Sequence, residues 1–313
     1  MKSATISAPG FAPPFPGRFS VSAYSRRDFI KTGIAAGALA GVGNLPLHAR
    51  ATATDMVTLG NSGLKVTRLA FGTGTNNGHV QYALGQAEFT RLVRYAYDRG
   101  IRFFETAEAY MTPAMLGEAL KGLPRESYQL MTKVTTFHPG DPAQRFDDMR
   151  KTCQTEYFDI MLLHWQHTPD WVEETKRWQD GILEAQQNKV ILKRGASVHG
   201  LPALRQVPGN KWLEIAMVRM NHKGTRMDGP TGQDNDNPAS VPEVVEHVQQ
   251  VKQQGMGVIS MKLCGNGKFT NHDDRLAAMK FAFRNAGIDC ATVGFKNTQE
   301  VDEAIENMNA ALA

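Results

Sequence analysis

The sequence predicts an α/β domain folded as a closed (β/α)8 TIM barrel, with a separate segment ahead of it. Three observations carry this expectation. Eight short apolar runs rich in β-formers recur along the chain, segments of helical period lie between them, and about 250 residues hold the whole pattern, the usual span of such a barrel.

The strand candidates are Val66 to Thr73, Phe103 to Ala107, Gln129 to Val134, Phe158 to Trp165, Lys193 to His199, Ile215 to Asn221, Gly257 to Leu263 and Ala291 to Phe295. Helical period marks Ala87 to Arg99, Trp171 to Gln187, Pro242 to Gln254, Asp274 to Asn285 and Thr298 to Leu312, with Thr298 read as the cap of the last. The rival is an open doubly wound sheet, which normally places a Gly-x-Gly-x-x-Gly loop after its first strand. Gly72-Thr73-Gly74-Thr75-Asn76-Asn77-Gly78 stands there without that spacing, so the barrel is preferred. Asp228 to Pro238 carries Asp228, Asp234 and Asp236 but lacks the spacing and the closing Glu of a calcium loop. It reads as a solvated loop.

Ser25-Arg26-Arg27-Asp28-Phe29-Ile30-Lys31, followed by the small and apolar run Thr32 to Val42, resembles a twin-arginine export signal. The run is too short and too weakly apolar for a stable membrane span. Ala49-Arg50-Ala51 offers small residues where a signal peptidase needs them, with Ala51-Thr52-Ala53 nearby. The expected division is a signal peptide over 1–51 and a barrel over 52–313. The partner implied is the Tat export machinery and the destination the periplasm or beyond.

The formal charge of +4 is misleading as it stands. Lys2, Arg18, Arg26, Arg27, Lys31 and Arg50 face only Asp28 in the first 51 residues, and removing that excess of five leaves the remainder at −1. No Lys/Arg cluster or aromatic-basic interleave follows, so nucleic acid is excluded as a partner. Cys153, Cys264 and Cys290 are odd in number and far apart, which fits buried small hydrophobes rather than a disulfide framework or thiolate metal site. No heptad run or long apolar helix offers a dimer seam, which points to a monomer.

Chemistry in such a barrel sits where the strands end. The second strand closes on Glu105-Thr106-Ala107-Glu108-Ala109-Tyr110, the third on Thr132-Lys133, and the fourth on Leu162-Leu163-His164-Trp165. A Tyr, a Lys and a His at one mouth suit carbonyl reduction, because the alkoxide left by hydride attack must be protonated as it forms. Tyr110 can supply the proton, Lys133 can stabilise its phenolate and so lower its pKa, and His164 can hold the substrate oxygen. Glu105 can keep the Lys133 ammonium charged. Trp165, His167, His199 and His222 also fall at strand ends and are candidate pocket residues. Their spacing matches no metal motif, so no metal is expected.

With these residues, residues 56 to 312 resemble the aldo-keto reductase family. The likeness includes Leu59-Gly60-Asn61-Ser62-Gly63-Leu64-Lys65-Val66 as the closing hairpin, the Glu-Thr-Ala-Glu-Ala-Tyr segment, Leu162-Leu163-His164, Gly195-Ala196-Ser197 and Val293-Gly294. It implies Tyr110 as general acid, Lys133 as its pKa-lowering partner, His164 as the substrate-orienting residue, and a nicotinamide cofactor, NADP or NAD. Glu105 stands where the family carries an aspartate, and the added methylene displaces the carboxylate. A shift of about 1 Å can cost ~100-fold in rate.

On the cofactor side the resemblance implies Gly72 and Thr73 at the first strand end, Ser197 on the carboxamide, Met261 over the nicotinamide ring, and Gly294 at the last strand. Lys262 and Lys296 are candidate point charges for a phosphate. Val198 and Met217 replace an asparagine and a glutamine of the family, and Glu300 falls where a base usually clamps the adenosine phosphate. Three readings follow. The first is an exported NAD(P)(H)-dependent oxidoreductase acting on an aldehyde, ketone or sugar-like carbonyl. The second is a catalytically impaired ligand-binding or regulatory protein on the same barrel, and the third a non-redox sugar lyase or isomerase reusing Tyr110 and His164.

Overall fold

The computed structural model describes residues 50–227, 229 and 238–313. The twin-arginine segment and all of the Asp228–Pro238 stretch except Gly229 and the backbone of Pro238 lie outside these residues.

Two antiparallel strands, β1 (Met56–Thr58) and β2 (Lys65–Thr67), make the predicted hairpin. Eight parallel strands follow: β3 (Leu69–Gly72), β4 (Phe103–Glu105), β5 (Gln129–Thr135), β6 (Phe158–Gln166), β7 (Ile191–Val198), β8 (Ile215–Arg219), β9 (Gly257–Met261) and β10 (Cys290–Gly294). They close in sequence order, β10 pairing with both β9 and β3. Around them lie α1 (Gly85–Asp98), α2 (Pro113–Leu120), α3 (Pro142–Thr152), α4 (Lys176–Gln187), α5 (Val241–Gln253), α6 (His272–Lys280) and α7 (Thr298–Leu312), while β7 and β8 are joined with one helical turn, Leu201–Leu204.

Period-two alternation sorts each strand between two cores. Ala70, Phe103, Met131, Ile160, Leu162, Ile215, Met217, Ile259 and Cys290 fill the barrel, whereas their neighbours Phe71, Phe104 and Leu130 pack outward under the helices. Leu59 and Val66 of the hairpin are fully buried in the inner cluster, which is how the hairpin plugs the bottom. Its seat is tight. The Asn61 N–H donates to Gly255 O at 2.6 Å, and Gly60, at φ +50°, leaves room for no β-carbon against the Gly255–Gly257 backbone.

Three sequence expectations need correction. The run Val66 to Thr73 is two strands, since Val66 and Thr67 pair with β1 while Leu69 onward joins the barrel. The Thr67 hydroxyl holds the break by donating to Leu69 O. Trp171 to Gln187 is likewise broken at Thr175, whose hydroxyl bonds back to Trp171 O and whose own carbonyl accepts from Gln179 N–H to start α4. The last helix is capped by Asn297 rather than Thr298, because the Asn297 side chain accepts from Glu300 N–H.

Candidate active site

The same parity that fills the barrel carries each strand one step further, to its mouth. Gly72, Glu105, Lys133, His164, Ser197, Arg219, Met261 and Thr292 each lie two residues beyond an inward position, so seven side chains and one bare glycine floor the C-terminal end. Tyr110 reaches the layer from the loop after β4.

Lys133 is fully buried and pairs with Glu105, itself 2% exposed. The ammonium also donates to Thr106 O at 2.9 Å and lies 3.3 Å from the Tyr110 hydroxyl. His164 sits edge-on to the Tyr110 ring, with centroids 5.6 Å apart and planes at 82°. It keeps the inward phase of Leu162, and a β-bulge begins there: Leu163 pairs with Ala196 and Gln166 with Val198, so His164 and Trp165 together oppose Ser197.

Burial dominates the electrostatics. It lowers Lys133 from the ordinary lysine value, against the opposing pull of Glu105. Burial and then the Glu105 carboxylate push the Tyr110 phenol well up, contrary to the lowering expected from Lys133. Burial is the larger cause, and the Glu105 carboxylate adds to it by opposing a second negative charge on the phenol. His164 is held well below the usual histidine range by burial, then by Lys133 and Lys262. Its Nδ1 finds no hydrogen-bond partner among the described residues.

His199 is similarly depressed, by burial and then Arg219. Arg219 Nη2 lies 2.6 Å from His199 Nδ1, and a guanidinium only donates, so Nδ1 accepts and the ring proton sits on Nε2. That proton points at Ser197 Oγ, 3.0 Å away.

The mouth opens into a cleft of ≈1390 Å³, larger than the ~300–1,000 Å³ of ordinary small-molecule sites. Tyr110, His164 and Glu105 line it at the mouth, and Gly72, Met261, Lys262, Gly294 and Lys296 also form its walls. Ser197 lies beneath, engaged with His199, and Thr73 is turned away, its hydroxyl bonded to Thr106 and Thr112. Beyond Gly294 the walls carry two acids held by cations, Glu300 by Lys296 at 3.3 Å and Glu303 by Arg275 at 2.6 and 2.9 Å. The strand reading overlooked Arg219, although a lone arginine in phase with Ile215 and Met217 was a visible signal. Gln81, on the one-turn helix His79–Tyr82, and Phe137, on the loop after β5, are also on the walls and gave none. Among the described residues no three His, Cys, Asp or Glu side chains cluster closely enough to hold a metal.

The model of the aldo/keto reductase family matches residues 68–312. The chain belongs to the aldo/keto reductase family. A second model, the twin-arginine translocation signal sequence, matches residues 23–43, so this family member carries an export signal. "Probable aldo-keto reductase 1" of Glycine max is 29% identical over 179 residues, 50% of this chain and 51% of that protein. L-galactose dehydrogenase of Arabidopsis thaliana is 33% identical over 124 residues, 36% of this chain and 39% of that enzyme. The matched stretches thus span about half or less of these relatives. Among solved structures, an aldo-keto reductase from Bacillus halodurans in its holo form has a TM-score of 0.64 at 18% identity, covering 83% of this chain and 95% of that one. One from Klebsiella pneumoniae in complex with NADPH has a TM-score of 0.61 at 17% identity, covering 84% and 90%. At such identities the structural likeness establishes the (β/α)8 fold. Among the described residues no helix is long and apolar enough to cross a membrane.

Proposed function

We propose that this reductase-family chain is an exported NAD(P)(H)-dependent oxidoreductase that interconverts an aldehyde, ketone or sugar-like carbonyl with its alcohol, Tyr110 being the general acid. The observation that carries the reading is the Tyr110 hydroxyl 3.3 Å from the Lys133 ammonium, beside the His164 ring, at the floor of a cleft of ≈1390 Å³.

The residues present fit such a cofactor. Gly72 and Gly294 line the cleft, and Met261 offers an apolar surface beside the reacting groups. Gly72, Met261, Lys262, Gly294 and Lys296 would line the bound dinucleotide, NADP or NAD, with Ser197 supporting from below. The nicotinamide supplies or accepts the hydride when bound. His164, kept neutral by burial and nearby cations, orients the carbonyl oxygen. Tyr110, kept protonated by burial and Glu105, gives its proton to that oxygen. The phenolate left behind faces the Lys133 ammonium, which stabilises it until solvent returns the proton.

Export through the Tat pathway to the periplasm, with the mature chain starting near Thr52, rests on the signal sequence and on the small residues Ala49 and Ala51 just before that point. Thr52 clasps Asp55 through N–H and hydroxyl bonds of 2.7 Å, and Ala53 is fully buried with its N–H on Asn309.

Native purification followed by absorbance and mass spectrometry for bound dinucleotide tests the reading, together with fluorescence titration with NAD(H) and NADP(H). Absence of any binding overturns it. With binding established, Tyr110→Phe abolishes carbonyl reduction and keeps dinucleotide affinity; equal loss of both would make Tyr110 structural. The glutamate at position 105, where the resemblance implies an aspartate, favours the impaired-protein reading as the alternative, and Glu105→Asp decides between the two.

A further inference from the structure

Outside Tyr110 and His164 stands a group of aromatic side chains that the proposed chemistry leaves unused. Phe137 is 61% and Trp165 44% exposed, their rings 6.0 Å apart at 74°. The bulge at His164 and Trp165 leaves Trp165 facing outward at φ +59°, a left-handed conformation that a bulky residue rarely adopts. The indole is fixed there. His167 donates from Nδ1 to Trp165 O at 3.1 Å and lays its ring along the indole, centroids 4.4 Å apart and planes at 30°. Backbone strain so tightly held clusters at ligand sites.

Phe137 and Trp165 are shared walls of two cavities, the main cleft and a smaller one of ≈240 Å³. Gln166, His167, Thr168 and Glu174 bound the smaller one further. Its chemistry is two-sided. One wall is aromatic, and the facing edge carries the Glu174 carboxylate with the Thr168 hydroxyl bonded to it at 2.6 Å. An aryl or alkyl group would cover the wall and strip water from the carboxylate without replacing its hydrogen bonds. A pyranose ring meets both demands, with a C–H face for the rings and hydroxyl donors along its rim for Glu174 and Thr168.

We propose that this outer pocket is a sugar-binding subsite, which holds the second ring of a disaccharide-like substrate whose first ring presents the reacting carbon to Tyr110; the assignment of the first ring rests on the oxidoreductase reading above. The volume takes one ring, and Phe137 and Trp165, which line both cavities, set the outer pocket beside the inner cleft.

Calorimetric titration of the purified protein with matched pairs tests this: glucose against maltose and cellobiose, and xylose against xylobiose. In at least one pair the dimer binds about tenfold tighter than its monomer, and both Phe137→Ala and Glu174→Gln remove that advantage. Both side chains are exposed, so neither change threatens the fold, which circular dichroism verifies. No dimer preference in any pair, or a preference that survives both substitutions, overturns the proposal. Phenyl β-glucoside is the control for a plain apolar slot. If it gains as much as the disaccharides and ignores Glu174→Gln, the sugar assignment fails. Dinucleotide titration of the same protein separates the two ideas, because its failure removes the oxidoreductase reading while the dimer-to-monomer ratio still decides the subsite.

Discussion

Gly74 lies flat against the Tyr110 ring: a β-carbon on it would stand 2.3 Å from Cζ, 2.4 Å from Cε2 and 2.5 Å from the phenolic oxygen. The phenol is therefore placed by the absence of a side chain as much as by Lys133. Gly74→Ala is compatible with its backbone, since Gly74 is not among the positive-φ residues, so the strain falls on the ring. Displacement of the acid by about 1 Å should lower kcat ~100-fold. Steady-state kinetics beside a thermal melt checks this, with the melt moving little; full activity in the alanine variant would show that Tyr110 has room to spare.

Glu105 neutralises Lys133 at the centre of the site. Glu105→Gln leaves the ammonium buried without its counter-charge, and breaking such a pair costs about 3–5 kcal/mol. Urea unfolding should show that loss. Glu105→Asp keeps the charge and withdraws it by one methylene, which relieves the contact with the phenol and lets Lys133 act on it. A working oxidoreductase should gain less than tenfold in kcat, whereas a gain within the ~100-fold range of a 1 Å repositioning would mark a site impaired by the longer acid. No gain in kcat would show that the chain is tuned to glutamate.

Barrel, strand order and most of the mouth were legible in the sequence for one physical reason: parity along a β-strand is rigid. Once Phe103, Met131 and Leu162 are inside, Glu105, Lys133 and His164 must face the same way two residues on. Arg219 obeys the same rule and was overlooked only because an arginine in an apolar strand was not followed outward. What the sequence hid depends on loops and on context. Nothing local tells that Gly74 touches Tyr110, that Thr73 turns away from the cleft, or that a bulge flips Trp165 outward. Nor does residue type give the direction of the Tyr110 shift, since it depends on burial and then on the Glu105 carboxylate beside the phenol.

The raised Tyr110 pKa sets the pH dependence of turnover. Carbonyl reduction needs the phenol protonated, and a value well above the ordinary 10 keeps it so through the alkaline range. Reduction should therefore show no tyrosine-dependent fall below about pH 10, while alcohol oxidation, which needs phenolate, climbs across that range. Glu105→Asp should bring the fall in reduction to lower pH. A wild-type reduction profile falling near neutrality with a tyrosine signature would mean Lys133 outweighs Glu105 after all.

His164 and His199 make the fold sensitive to mild acid. Both are buried with folded-state pKa values well below the usual histidine range, so as pH falls through about 6.5 the unfolded chain takes up protons that the folded chain refuses. The stability is complete above that point and is lost as pH drops, at up to about 1.4 kcal/mol per pH unit for each histidine. His199→Gln keeps an acceptor for Arg219 and a donor for Ser197 while removing one titrating group. Denaturant midpoints between about pH 7.5 and pH 5.5 should then fall with a slope shallower by about one proton. An unchanged slope would mean that His199 is already protonated in the fold, which would require Arg219 Nη2 to leave its Nδ1.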